Sequence, residues 1–261
     1  MQRFSVVFVS VLFILVNGAS ASATSHNAVY FRGAVAAMQS TGADFSDKDC
    51  SSTSPPALFG CGAGNDGRPL GAYGDFGEYL AMEIAAGRYV SPWLRIDLAF
   101  NYRPNMNYSG TANFRGVSGP QPVSSTARSL SAMANLFIEL GPILNISSDR
   151  WHPYIGTGVG VSYNRLKEVE YLFPEATTHK ISITPSGERF DPAFTFFGGL
   201  GVALSREWMI DISVRYEDLG RVETDRGGMY MNHIPQDLEI DKTSAALRGF
   251  GLALGVRYSF F

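Results

Sequence analysis

The sequence has little of what usually announces a soluble catalyst. Its 261 residues contain two cysteines and four histidines, and no His-x-Ser or Gly-x-Ser-x-Gly arrangement is present. An activated nucleophile with its base at a fixed spacing is therefore missing. Charge of one sign is also lacking: 21 Lys+Arg stand against 24 Asp+Glu, which removes the electrostatic case for nucleic acid. Past the first residues, no apolar stretch approaches the roughly 20 residues of a spanning helix. A membrane location would then require a closed barrel.

What is present begins with an export pattern. Met1 to Arg3 is a short positive segment, Phe4 to Val16 is apolar, and Ala21-Ser22-Ala23 is a small-x-small cleavage site. These features read as a signal peptide over residues 1–23. A retained anchor is disfavoured, because the apolar run is shorter than a bilayer span. The expected mature domain is 24–261, with 20 basic and 24 acidic residues. In an exported chain, Cys50 and Cys61 read as a disulfide inside a Gly/Ser/Pro-rich loop. A metal site there is weak, since no histidine lies nearby in sequence.

Eight segments alternate with a period of two, the period of a strand. In the last, Phe250, Leu252, Leu254, Val256, Tyr258 and Phe260 oppose Gly249, Gly251, Ala253, Gly255 and Arg257. The other seven are VYFRGAVAAM, YLAMEIAA, WLRIDLAFNY, SLSAMANLFIEL, WHPYIGTGVGVSYN, AFTFFGGLGVAL and WMIDISVRYEDL. One face is large and apolar, with Phe100, Tyr102, Trp151, Tyr163, Trp208 and Tyr216 near strand ends. The other is small or charged. Such segments, with interfacial aromatics, predict an all-β fold: an eight-stranded antiparallel up-and-down transmembrane barrel with its apolar face outward. A soluble sandwich or lipocalin-like barrel would turn that face inward and use shorter strands.

Connections alternate between short and long. The long ones, roughly 39–75, 103–128, 165–190 and 218–243, are expected outside and the short turns in the periplasm. The inward face is expected to carry Arg32, Arg95, Arg215 and Arg257 against Glu83, Asp97, Glu139 and Asp211. Balanced charges in a barrel just wide enough for its own side chains predict an interior filled by ion pairs, with a narrow or gated channel as the alternative. The runs GTGVG and GGLG lie inside strands, where no helix follows to make a nucleotide loop. They are expected to make room for side chains from the opposite wall. No cofactor or metal is expected. His152, His179 and His233 are scattered, and the chain is not expected to be an enzyme.

WHPYIGTGVGVSYN, FFGGLGVALSREWMIDISVRYEDLG and GFGLALGVRYSFF together resemble the final strands of the small outer-membrane barrel superfamily that includes the opacity proteins and the OmpA transmembrane domain. The resemblance implies a bacterial outer-membrane location, in contact with its lipid. It also implies that the terminal strand, with Tyr258, Phe260 and Phe261, is read by the barrel-assembly machinery. The alternating set ends on Phe260, so Phe261 lies one residue beyond the usual register. No peptidoglycan-binding domain is expected after the strand pattern. The implied role is structural and adhesin- or opacity-like, with the loops meeting a host or surface ligand. A small porin-like channel is the alternative, and a lipid-modifying enzyme is a third class.

Overall fold

The computed structural model describes residues 28–117, 119–146, 148–175 and 180–260. The expected signal peptide, Phe261 and His179 lie outside the described residues.

Eight long strands carry the fold: β1 (Val29–Ser40), β2 (Glu78–Ser91), β3 (Leu94–Ala112), β4 (Gln121–Glu139), β5 (Trp151–Leu166), β6 (Gly187–Ala203), β7 (Trp208–Glu223) and β8 (Thr243–Phe260). Each pairs antiparallel with its sequence neighbours. The last pairs with the first, Val29 lying opposite Phe260 and Ser40 opposite Gly249. The ring of hydrogen bonds is closed, so none of the eight long strands is left as an open edge.

Burial follows the expected alternation, with the apolar set outside. Phe190 is 74% exposed, and Ile84, Leu98, Leu252 and Phe196 stand on the same outer surface. In water so continuous an apolar surface would be untenable. In a bilayer it is the solvent-facing side. Trp93, Trp151, Trp208 and Phe260 mark the lower rim, while Tyr102, Tyr163, Phe190, Tyr216 and Phe250 mark the upper. The ten residue steps from Phe260 to Phe250 on β8, tilted as barrel strands are, rise about 25 Å, the height of an apolar barrel band.

Above the upper row the structure departs from the expected loop boundaries. β3 runs on to Ala112 and β4 starts at Gln121, so the second connection contracts to 113–120. Two register shifts hid this from a period-two reading. The pairing slips between Arg103 and Met106 on β3 and between Asp218 and Arg221 on β7. At the second, Gly220 takes a left-handed φ of 78°. Each bulge reverses the parity of the inward positions. Outside the membrane both faces can also be small or polar, so the outward Asn105, Asn107 and Ser109 look like loop residues.

The remaining connections add short strands to this extension. Ala72–Asp75 pairs with the top of β3, Val169–Phe173 with β4 and Lys180–Thr184, and Ser46–Asp47 with β8. Below, a single helical turn, Leu140–Ile143, takes up Leu140, which was expected to end a strand face.

Candidate functional site

All eight lumen charges expected from the sequence point inward, none more than 4% exposed. At the lower end, Arg95 Nε donates to Glu139 Oε1 at 2.6 Å, with its guanidinium 4.0 Å from the Phe137 ring centre. Arg257 pairs with Asp211 at 3.0 Å, donates to the Tyr89 hydroxyl at 2.6 Å and approaches Glu139 at 3.8 Å. At mid-height, Arg32 sits between Asp97 at 2.9 Å and Glu83 at 3.1 Å. Arg215 reaches the other oxygen of Glu83 at 3.2 Å. The Tyr30 hydroxyl and Asn135 Nδ2 donate to Asp97 at 3.0 and 2.7 Å.

Two further charges join the network. Arg103 donates to Glu217 through Nε at 2.8 Å and Nη2 at 2.5 Å, and the Tyr79 hydroxyl donates to the same carboxylate at 3.0 Å. Glu217 was expected on the polar face but not counted in the network. Arg103 was assigned to a loop, although continuing the parity of Arg95, Asp97 and Asn101 by one step reaches it. β3 and β7 are four strands apart in the ring of eight, so Arg103–Glu217 spans the bore. Arg257 on β8 and Glu139 on β4 face one another in the same way.

The glycines do make room, but for a different neighbour than expected. A Cβ on Gly156 would lie 2.5 Å from Phe137 Cδ1, and one on Gly199 2.5 Å from Tyr154 Cζ. Phe137 is the direct cross-strand partner of Gly156, and Tyr154 of Gly199. The rings therefore fold over glycines on the adjacent strand, not on the opposite wall. In so narrow a bore, a ring can lie flat only where its neighbour has no side chain.

Above Glu217 the interior changes character. Met106, Tyr108, Val123, Ala127, Leu166, Leu219, Val222 and Leu247 form an apolar stack. The first external loop descends onto it: Phe45 and Phe76 pack edge-on against Tyr108, with ring centres 4.9 and 5.4 Å away. Phe59 stacks on Phe114 at 5.1 Å. The loop is braced by the Cys50–Cys61 disulfide, Cα atoms 4.8 Å apart. Asp47 accepts the backbone N–H groups of Leu58, Phe59 and Gly60 at 3.0, 3.0 and 2.8 Å. Burial pushes the Asp47 carboxyl above the ordinary value, against the pull of those three donors. In the fourth loop, Arg226 beside Asp241, 2.6 Å away, holds that carboxyl below its ordinary value.

Among the described residues no cluster of three or more His, Cys, Asp or Glu is arranged to hold a metal ion. His152 lies half-buried at the lower end of β5 and His233 in the fourth loop. At the closing strand, the Tyr258 ring packs between Trp208 at 4.7 Å and Phe260 at 4.8 Å.

Residues 9–260 match the family model described as the outer membrane protein beta-barrel domain. The chain belongs to this family of outer-membrane barrels. No curated protein sequence matches it. Among solved structures, this family member is similar to the outer membrane protein OprG from Pseudomonas aeruginosa at 13% identity and a TM-score of 0.49, covering 90% of this chain and 96% of that one. It is similar to the outer membrane protein AlkL at 19% identity and a TM-score of 0.42, with 94% and 97% covered. Neisserial surface protein A matches at 14% identity and a TM-score of 0.39, with 88% and 97% covered. At such identities and scores none of the three bears on what this barrel does. An outer-membrane barrel, with family members of differing roles, is the shared ground.

Proposed function

We propose that this barrel is an outer-membrane surface protein with a structural and interaction role, adhesin- or opacity-like, played by its external cap over a closed bore. One observation carries the reading: the interior is crossed by Arg103–Glu217 and Arg257–Glu139 and is then topped by an apolar stack under the first loop. A solute would have to break buried ion pairs and also displace Phe45, Phe76 and Tyr108. On this reading residues 1–23 are a cleaved signal, 24–261 form one barrel domain, and Tyr258, Phe260 and Phe261 present the closing strand to the assembly machinery. The barrel is not an enzyme, and its cap meets a host or surface ligand.

A second reading is favoured by one specific feature. Arg32 Nε, Arg95 Nη2, Glu139 Oε2 and Asp211 Oδ2 are buried without hydrogen-bond partners among the described residues. Such atoms attract internal water, and a chain of waters beside the arginines would make a narrow, gated path. Conductance of the refolded protein in a planar bilayer decides between the readings. Silence from the wild type, Arg95→Ala and Arg215→Ala supports the closed bore. Reproducible conductance altered by either substitution overturns it and makes the arginines selectivity elements.

A further inference from the structure

On the outer wall, one step above the upper aromatic row, β4 and β5 set Arg128 directly opposite Arg165. Both are exposed. Like charges placed opposite one another on neighbouring strands repel, and two other charges at this height show the ordinary remedy. Arg248 and Asp218 are joined at 2.7 Å. Arg165 reaches Glu188 on β6 through Nε at 2.7 Å, and Glu188 also accepts the Tyr163 hydroxyl. Arg128 has no carboxylate partner among the described residues. Lys167 adds a third cation just past the end of β5, its backbone N–H tied to the Thr126 carbonyl at 2.9 Å, two residues from Arg128. Together with Glu168, Ser186 and Glu188, the three cations line a hollow of about 370 Å³.

We infer that this hollow is a site for a phosphate of a membrane-lipid headgroup. Directly beneath it Leu130 faces Tyr163, and Tyr163 faces Phe190, whose ring centre is 4.8 Å away. The hollow therefore lies at headgroup level, with lipid-facing wall below for the acyl chains. A phosphate there would separate Arg128 from Arg165 and accept charge-assisted hydrogen bonds from both. Glu188 is already engaged by Arg165, Arg128 and Lys167 have no carboxylate partner among the described residues, and the three cations outnumber the two carboxylates, Glu168 and Glu188, that line the hollow. The site does not depend on what the cap binds, nor on whether the bore conducts.

Native mass spectrometry of the refolded protein from phosphatidylcholine nanodiscs tests the site, with bisphosphorylated lipid A, dephosphorylated lipid A and inorganic phosphate as probes. The bisphosphorylated lipid is expected to be retained at least about 25-fold more tightly than its dephosphorylated form, because loss of the phosphates removes the attraction of all three cations. Near a membrane surface each cation is worth a factor of about five, so Arg128→Gln/Lys167→Gln should weaken retention about 25-fold. Arg248→Gln, at the same height but away from the hollow, should change nothing. Neither residue of the double variant touches the bore, and heat-modifiable migration confirms its fold. If it fails to fold, Arg128→Gln alone should weaken retention about fivefold. Equal retention of the two lipids, wild-type retention by the folded double variant or by Arg128→Gln, or displacement of the lipid by inorganic phosphate would overturn the inference.

Discussion

Replacing Glu217 by alanine tests whether the cross-bore pair holds the barrel together. The carboxylate is fully buried and accepts three hydrogen bonds, two from Arg103 and one from Tyr79. Its loss leaves a buried guanidinium facing an apolar stack above, with Ser131 Oγ at 3.2 Å as its remaining hydrogen-bond acceptor among the described residues. Breaking a buried pair by removing one partner costs about 3–5 kcal/mol. With an unfolding slope of about 2 kcal/mol per molar urea, the midpoint should fall by roughly 2 M. The assay is urea titration of the protein in liposomes, read by loss of heat-modifiable migration. The same physics makes an opposite prediction for Arg103→Met/Glu217→Leu, which removes both charges and joins the apolar stack: it should recover most of the lost stability. A single variant within about 0.5 M of wild type, or a double variant no better than the single, refutes the reasoning.

Reduction of Cys50–Cys61 should loosen the cap alone. A bridge closing so short a loop is worth about 2–3 kcal/mol, so tryptic cleavage in 44–72 should accelerate about thirtyfold or more while the barrel keeps its heat-modifiable shift. Gly199→Ala should destabilise by about 1–3 kcal/mol, because its Cβ must push the Tyr154 ring aside. Gly33→Ala, where nothing lies within 4 Å of the new atom, should be close to neutral in the same urea titration. The Arg226–Asp241 pair sets a pH dependence in the fourth loop. Its folded pKa is lowered, so the stabilisation is complete above the unfolded value of about 3.9 and is lost as pH falls through the lower folded value. Hydrogen-exchange protection of residues 226–242, relative to the intrinsic rate at each pH, should fall in acid below about pH 4, and Arg226→Gln should weaken that dependence.

The alternation of Phe250 to Phe260 against Gly249 to Arg257 determined, by itself, that this segment is a strand with one apolar face. The same period in seven other segments separated two faces, because a strand's side chains can point only two ways, and the aromatics near strand ends with charges and glycines on the other face pointed to a barrel with the apolar face outward. That logic also placed Arg32, Arg95, Arg215 and Arg257 inside. It failed where the period failed: the bulges after Arg103 and Asp218 reversed parity and turned the upper strands into apparent loops.

Only the tertiary structure decided which charges meet. Arg215 pairs with Glu83 on β2, and Arg103 with Glu217 across the bore, because closure of the ring brings together residues more than 100 positions apart. Alternation says which side of the wall a residue takes, but not its height or its partner across the bore. The apolar stack beneath the cap was hidden for the same reason. Phe45, Phe59 and Phe76 sit in a Gly- and Pro-rich stretch with no period, and only the closed mouth of the barrel gives them an interior to fill.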